Sequence, residues 1–282
     1  MTAGCEMMAV MSSTREMLTE ALHLYARHRK ALLMAAGLLL LPVGAVMTVA
    51  GAVAKLPFVP PFLRDEWAAS AGTAVIWGVD LFVSIVTWGV VTTFVARHLS
   101  GKPIDWRSAW RRGLERARPV VTANLAAALP AIGYFLLAMI PIVIVRASAQ
   151  AGAPQSVAMA WLDDLLLGAV LAFFAVRFAF VTCVAVVERQ GGFLAYRRNL
   201  QLLEGRFLRV AAVVTPIEIG RQLLDRLSDW ALSASAFHEA ASHVVWWLFL
   251  PLEVAAATIV YQRIRAEAEG YDTAQLAQDL ER

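Results

Sequence analysis

The sequence predicts an all-α protein, a polytopic bundle of six transmembrane spans with amphipathic elbow helices on its cytoplasmic side. Three observations carry this. Of 282 residues, 59% are hydrophobic and 17% charged, against about 25% charged in an ordinary soluble domain. The apolar residues fall in runs of about 20 with few or no charges, the length that crosses a bilayer core. The basic residues gather in alternate connections, as orientation by positive charge requires. A net charge of +3 is too small for a nucleic-acid binder. The hydrophobicity is too high for a disordered chain.

The elements follow in order. In 13–29, Met17, Leu18, Ala21, Leu22 and Tyr25 share one face opposite charged positions, which predicts a helix lying on the membrane surface. The first span, 31–54, holds no charge, and the second, 72–96, holds one acid, Asp80. In 105–117, Asp105 is placed to cap a short helix whose apolar stripe is Trp106, Ala109, Trp110 and Leu114. The third span, 119–145, is notched by Pro130 and Pro141, and the fourth, 165–187, carries Arg177. In 193–204, Phe193, Tyr196, Leu200 and Leu203 form another stripe, with Gly205 as the stop.

The stretch 208–232 is equivocal. Glu218, Gln222, Asp225 and Asp229 recur at three- and four-residue steps, opposite Ile219, Leu223, Leu224, Leu227 and Trp230. It reads as a fifth span with its polar stripe inward; the alternative is a half-span ending on the outer surface. The last span, 244–261, carries Glu253 beside Pro251. Residues 1–30 thus form a cytoplasmic segment, 31–262 the membrane domain and 263–282 a cytoplasmic tail.

With six spans, 19 basic residues fall on one side and 3 on the other, which places both termini in the cytoplasm. Trp67, Trp161, Trp230, Trp246 and Trp247 then lie at the outer boundary and Trp106 and Trp110 at the inner one. The elbow connections 97–118 and 188–209 share one layout, a faint internal repeat. Cys5 and Cys183 are too differently placed to suggest a disulfide.

One connection carries Glu188, then Ala195, Arg197, Arg198 and Asn199, then Leu202 and Gly205. The tail carries Tyr261, Arg265, Glu269, Gly270 and Asp272. From about residue 170 to 272 this resembles a group of bacterial six-span inner-membrane proteins. The group includes the membrane domain attached to some glycerophosphoryl diester phosphodiesterases. Asn199, Arg263 and Glu267 depart from the serine, aspartate and arginine usual in that group. The resemblance implies a six-helix domain of the bacterial cytoplasmic membrane. It implies no activity, because the phosphodiesterase chemistry belongs to a separate soluble domain for which this chain has no room.

No catalytic, cofactor or metal constellation is expected. His238, Glu239 and His243 put the second imidazole at i+5, not at the i+4 of a zinc helix. Asp163 and Asp164 suit a helix cap at the outer start of the fourth span. The intramembrane charges form a candidate polar cluster: Asp80, Arg177, Glu218, Arg221 and Glu253. Helix rise puts Arg177, Glu218 and Glu253 roughly 13–15 Å deep, and Arg221 and Asp80 roughly 20–24 Å. Buried charge demands partners, so Arg177 is expected on Glu218 or Glu253, and Arg221 on Asp80 or Asp225. Arg107, Arg111, Arg112, Arg197, Arg198 and Arg206 form a candidate surface for anionic headgroups or a partner protein. The sequence thus reads as a non-enzymatic inner-membrane protein binding lipid or partner through its elbows. The alternative is a transporter or lipid-handling protein built on the polar cluster.

Overall fold

The structure is a computed structural model that describes residues 2–54, 66–102, 105–150, 168–232 and 238–281. Every element among them is helical. In chain order they are α1 (Thr2–Ala54), α2 (Glu66–Leu99), α3 (Trp106–Glu115) and α4 (Ala117–Gln150). There follow α5 (Gly168–Val187), α6 (Gly192–Leu203), α7 (Phe207–Leu232), α8 (His238–Glu269) and α9 (Thr273–Glu281). Asp163, Asp164 and Trp161 lie outside the described residues, as do the side chains of Cys5, Trp67 and Trp77.

Four helices are long and apolar enough to cross a membrane: Gly78–Leu99, Ala117–Leu137, Gly168–Val187 and Ala241–Glu269. A fifth is added if the bent α1 counts as one span. The chain is therefore a multi-span protein by length and composition. The helix of the expected fifth span, α7, has 26 residues, roughly 39 Å at helical rise and so long enough. Its charged stripe keeps it out of the apolar set. Ile219, Leu223, Leu224, Leu227 and Trp230 are nevertheless exposed, and Glu218 is buried. The polar stripe thus faces the bundle.

The expected surface helix 13–29 and span 31–54 are one helix, merged across a kink at His28 (φ −112°, ψ 16°). A second bend of 47° separates Ser13–Leu38 from Leu40–Val46. Pro42 explains it: proline offers no N–H to the carbonyl four residues back, here Leu38, and crowds it. The expected tail is no separate segment either. The α8 helix runs on to Glu269, Gly270 ends it in the left-handed region (φ +65°), and α9 folds back with Leu276 and Leu280 buried.

Close helix approach depends on small residues. At Gly37 on α1 an added Cβ would lie 2.7 Å from Nε1 of Trp247 on α8. That indole donates to the Leu33 carbonyl at 2.9 Å. Trp247 is thus packed between α1 and α8. On α3, a Cβ at Gly113 would come within 2.9 Å of the Val90 backbone. Trp110, expected at a boundary, is buried and donates to the Ala35 carbonyl at 3.0 Å. Asp105 caps α3, accepting from the Arg107 and Ser108 amides at 3.1 and 3.0 Å.

The α5 helix is broken by a turn at 178–180. A break frees backbone groups that must find partners when buried. Asn199 of α6 supplies both: its Oδ1 accepts from the Phe180 amide at 3.0 Å, and its Nδ2 donates to the Arg177 carbonyl at 2.8 Å. The side chain is fully buried. Past the break, Val181–Val187 is buried at every residue. Replacing Asn199 by alanine strands one donor and one acceptor, each costing about 1–3 kcal/mol. Thermal unfolding in detergent should show Asn199→Ala less stable by about 2–4 kcal/mol.

Candidate functional site

The expected polar cluster forms in part. Glu218 and Arg221 lie one turn apart on α7, and Glu253 faces them from α8. Arg221 Nη2 donates to Glu218 Oε1 at 2.5 Å and its Nε donates to Oε2 at 3.0 Å. The same Nε lies 3.4 Å from Glu253 Oε1. Gln222 also donates to Glu218, at 2.7 Å. Above the guanidinium sits the Trp246 ring, with its centroid 5.0 Å from Cζ, a cation–π contact. Asp225 accepts from Ser242 of α8 at 2.6 Å. An added Cβ at Gly168 would lie 2.9 Å from Gln222 Oε1, so the glycine lets α5 close over this stripe.

Arg177 is not part of the cluster. It sits at the α5 turn, half-buried, and its side chain meets Tyr196 of α6. The expected pair with Glu218 or Glu253 is therefore replaced by Arg221 serving both acids. Counting depth along an unbroken span could not foresee the turn that brings α6 against Arg177. Asp80 is half-buried on α2, and among the described residues no basic side chain pairs with it.

The elbow arginines divide. Arg107 and Arg111 on α3 and Arg197 on α6 are exposed. Arg107 lies over the Trp106 ring at 5.3 Å. Half-buried Arg206 makes a long bond, 3.5 Å, to the Glu204 carbonyl. The other two are committed internally. Arg112 donates to the Leu280 carbonyl at 3.0 Å. Arg198 pairs with Glu188 at 3.1 Å and also with Glu269. Burial works against the Arg198 charge, but Glu269 and Glu188 hold the guanidinium above its ordinary value.

Arg198 belongs to a network that the sequence did not show as a site. Tyr261, Arg265 and Glu269 stand at i, i+4 and i+8, on one face of α8. Tyr261 donates to Glu188 at 2.8 Å, Arg265 donates to Tyr261 at 3.2 Å and to Glu269 at 3.0 Å. The Arg265 guanidinium lies 3.5 Å from the Tyr271 ring centre. Tyr271 donates to Asp279 of α9 at 2.8 Å. These contacts hold the end of α5, α6, the end of α8 and α9 together.

Arg116, between α3 and α4, is buried and donates to the Val186 carbonyl at the end of α5. It also donates to the Leu280 and Asp279 carbonyls at the end of α9, at 2.8 and 3.3 Å. One guanidinium thereby satisfies the terminal carbonyls of two helices, where positive charge is favoured. Burial lowers its pKa to about 10, so it stays cationic at neutral pH.

An open groove of about 1140 Å³ runs between the first half of α1 and the end of α2, lined by Arg15, Glu16, Glu20, His23, Arg27 and His98. Its charges are mixed. Among the described residues, no three of His, Cys, Asp and Glu are gathered as a metal site. Compared with protein-family models, curated proteins and solved structures, the chain matches none.

Arg221→Met leaves two buried acids facing each other and should cost about 3–5 kcal/mol in a detergent unfolding assay. Glu253→Gln should cost far less, because the Glu218–Arg221 hydrogen bonds survive. Burial first, and the bond to Asp279 second, raise the Tyr271 pKa. The stability this gives is complete below the ordinary tyrosine value of 10.0 and is lost as pH rises through the higher folded value. Wild-type stability should therefore fall through this alkaline range more steeply than that of Tyr271→Phe.

Proposed function

We propose that the chain is a non-enzymatic, six-span protein of a bacterial cytoplasmic membrane that grips anionic lipid headgroups through α3 and α6. Its spans are α1, α2, α4, α5, α7 and α8, and both termini face the cytoplasm. Support for counting α7 comes from its outward apolar face, Ile219 to Trp230. The family resemblance of residues 170–272 favours the same topology.

The observation that carries the lipid reading is the company the free arginines keep. Arg107 and Arg111 share α3 with exposed Leu114, and Arg197 shares α6 with exposed Phe193 and Leu194. Apolar residues that dip into the acyl boundary beside cations that meet headgroups describe an interfacial helix. The pattern favours lipid over a wholly polar protein partner. Arg112 and Arg198 are left out of the proposed surface, because protein groups already occupy them. A second reading, a transporter using the intramembrane cluster, is favoured by the buried Glu218, Arg221 and Glu253.

Each basic residue near an anionic surface contributes about 1 kcal/mol. The combined variant Arg107→Gln, Arg111→Gln, Arg197→Gln should therefore bind fluorescent phosphatidylglycerol in mixed micelles about two orders of magnitude more weakly than wild type. Added salt should weaken wild-type binding. Equal binding of phosphatidylcholine, or no loss in the triple variant, overturns the reading.

A further inference from the structure

The cluster between α7 and α8 holds more negative than positive charge, and it is buried. The Glu218, Arg221 and Glu253 side chains keep 8%, 14% and 10% of their exposure. Two carboxylates share one guanidinium. The sharing is unequal in hydrogen bonds. Arg221 Nε carries a single hydrogen, and this is given to Glu218 at 3.0 Å. Its 3.4 Å approach to Glu253 Oε1 is Coulombic only. Among the described residues, Glu253 Oε1 is buried with no hydrogen-bond partner. An ionised carboxylate accepts at both oxygens, and a buried oxygen left without a donor is costly.

Among the described residues, the surroundings do not supply the missing positive charge. On α7, Asp225 is a further acid, engaged with Ser242 at 2.6 Å, and Arg226 is exposed. On α8, Trp246 covers Arg221 rather than Glu253. His243 lies ten residues before Glu253 on α8, against Gly44 of α1. From 31 to 54, α1 has no charged residue. On α2 the nearest candidate, Asp80, is another acid. Arg177 on α5 is with Tyr196, and Arg198 on α6 is with Glu188 and Glu269. A buried carboxyl without a partner cation lowers its energy by taking up a proton.

We propose that Glu218, Arg221 and Glu253 form a proton-binding site, in which the guanidinium neutralises Glu218 and one bound proton resides on Glu253. The proton turns Glu253 into a neutral donor and acceptor and brings the triad to zero charge. This goes beyond headgroup binding and does not depend on it. Pro216 and Pro251 each stand two residues before an acid of the pair. Each removes one backbone hydrogen bond from its helix, so both helices are weakened beside the site.

Infrared spectroscopy of the full chain in an ester-free detergent such as dodecyl maltoside tests this, through the carbonyl stretch above the amide band that only a protonated carboxyl shows. At neutral pH, wild type should show this band, and Glu253→Gln should lose it; Glu218→Gln, which frees the guanidinium to neutralise Glu253, should lose it as well. The wild-type band should disappear only at a pH above the ordinary glutamate range. Arg221→Met, with no cation left, should hold protons on both acids and show about twice the band. Should a variant fail to fold, the wild-type band and its pH titration still decide. No protonated carboxyl in folded wild type at neutral pH overturns the proposal. So does a band that survives Glu253→Gln, or one that sodium or potassium ions displace at constant pH, which would mark a metal-cation site instead.

Discussion

Arg221 is the contact on which the arrangement of α7 rests. A helix with Glu218, Gln222, Asp225 and Asp229 along one side has two ways to satisfy them: solvent, or protein groups. The bundle takes the second way. Arg221 and Gln222 bond Glu218 within the helix, while Ser242, Trp246 and Glu253 meet the stripe from α8. Once these pairs exist, the apolar residues of α7 are free to face outward. Without the guanidinium the inward face would hold unneutralised acids, and the helix would gain by rotating or leaving the bundle.

The same requirement, that buried polar groups find partners, is met three times by side chains that reach between helices. Asn199 serves the break in α5, Arg116 serves the ends of α5 and α9, and Glu188 gathers Arg198, Tyr261 and Arg265. These contacts cluster where α3, α6 and α9 fold back on the longer helices. The two elbow connections act alike here: α3 returns against α2 through Gly113, and α6 returns against α5 through Asn199. The shared layout seen in the sequence corresponds to a shared way of folding back, achieved with different residues.

Much of this was legible in the sequence. Uncharged runs marked the long helices, Asp105 and Gly205 marked the limits of the short ones, and the α7 periodicity marked which side faces inward. Local signals were readable because they depend on near neighbours. Pairings between helices were not. Arg221 has an acid one turn away in Glu218, a local signal that counting depth alone passes over, whereas nothing local says what Arg177 meets. The α5 turn decided it, and its partner Asn199 lies about twenty residues away. Arg112 and Arg198 looked like free surface cations for the same reason: the groups that occupy them, the Leu280 carbonyl, Glu188 and Glu269, come from distant segments. The bend before Pro42 has a covalent cause in the sequence, and the kink at His28 has no proline beside it.

Arg116 has a consequence for how the molecule is made. Its guanidinium needs carbonyls from residues 186, 279 and 280, and a ribosome produces these at very different times. When α3 and α4 have emerged, Arg116 has no partner at all. When α5 is in place it has one. Its set is complete only after α9 has been synthesised and has docked. Until then the guanidinium is left to water, and the junction of α3 and α4 lacks its ties to α5 and α9. Arg116 therefore acts as a clasp that closes late in synthesis, so that a chain cut short before α9 is left open at the centre of its helical packing rather than merely frayed at one end.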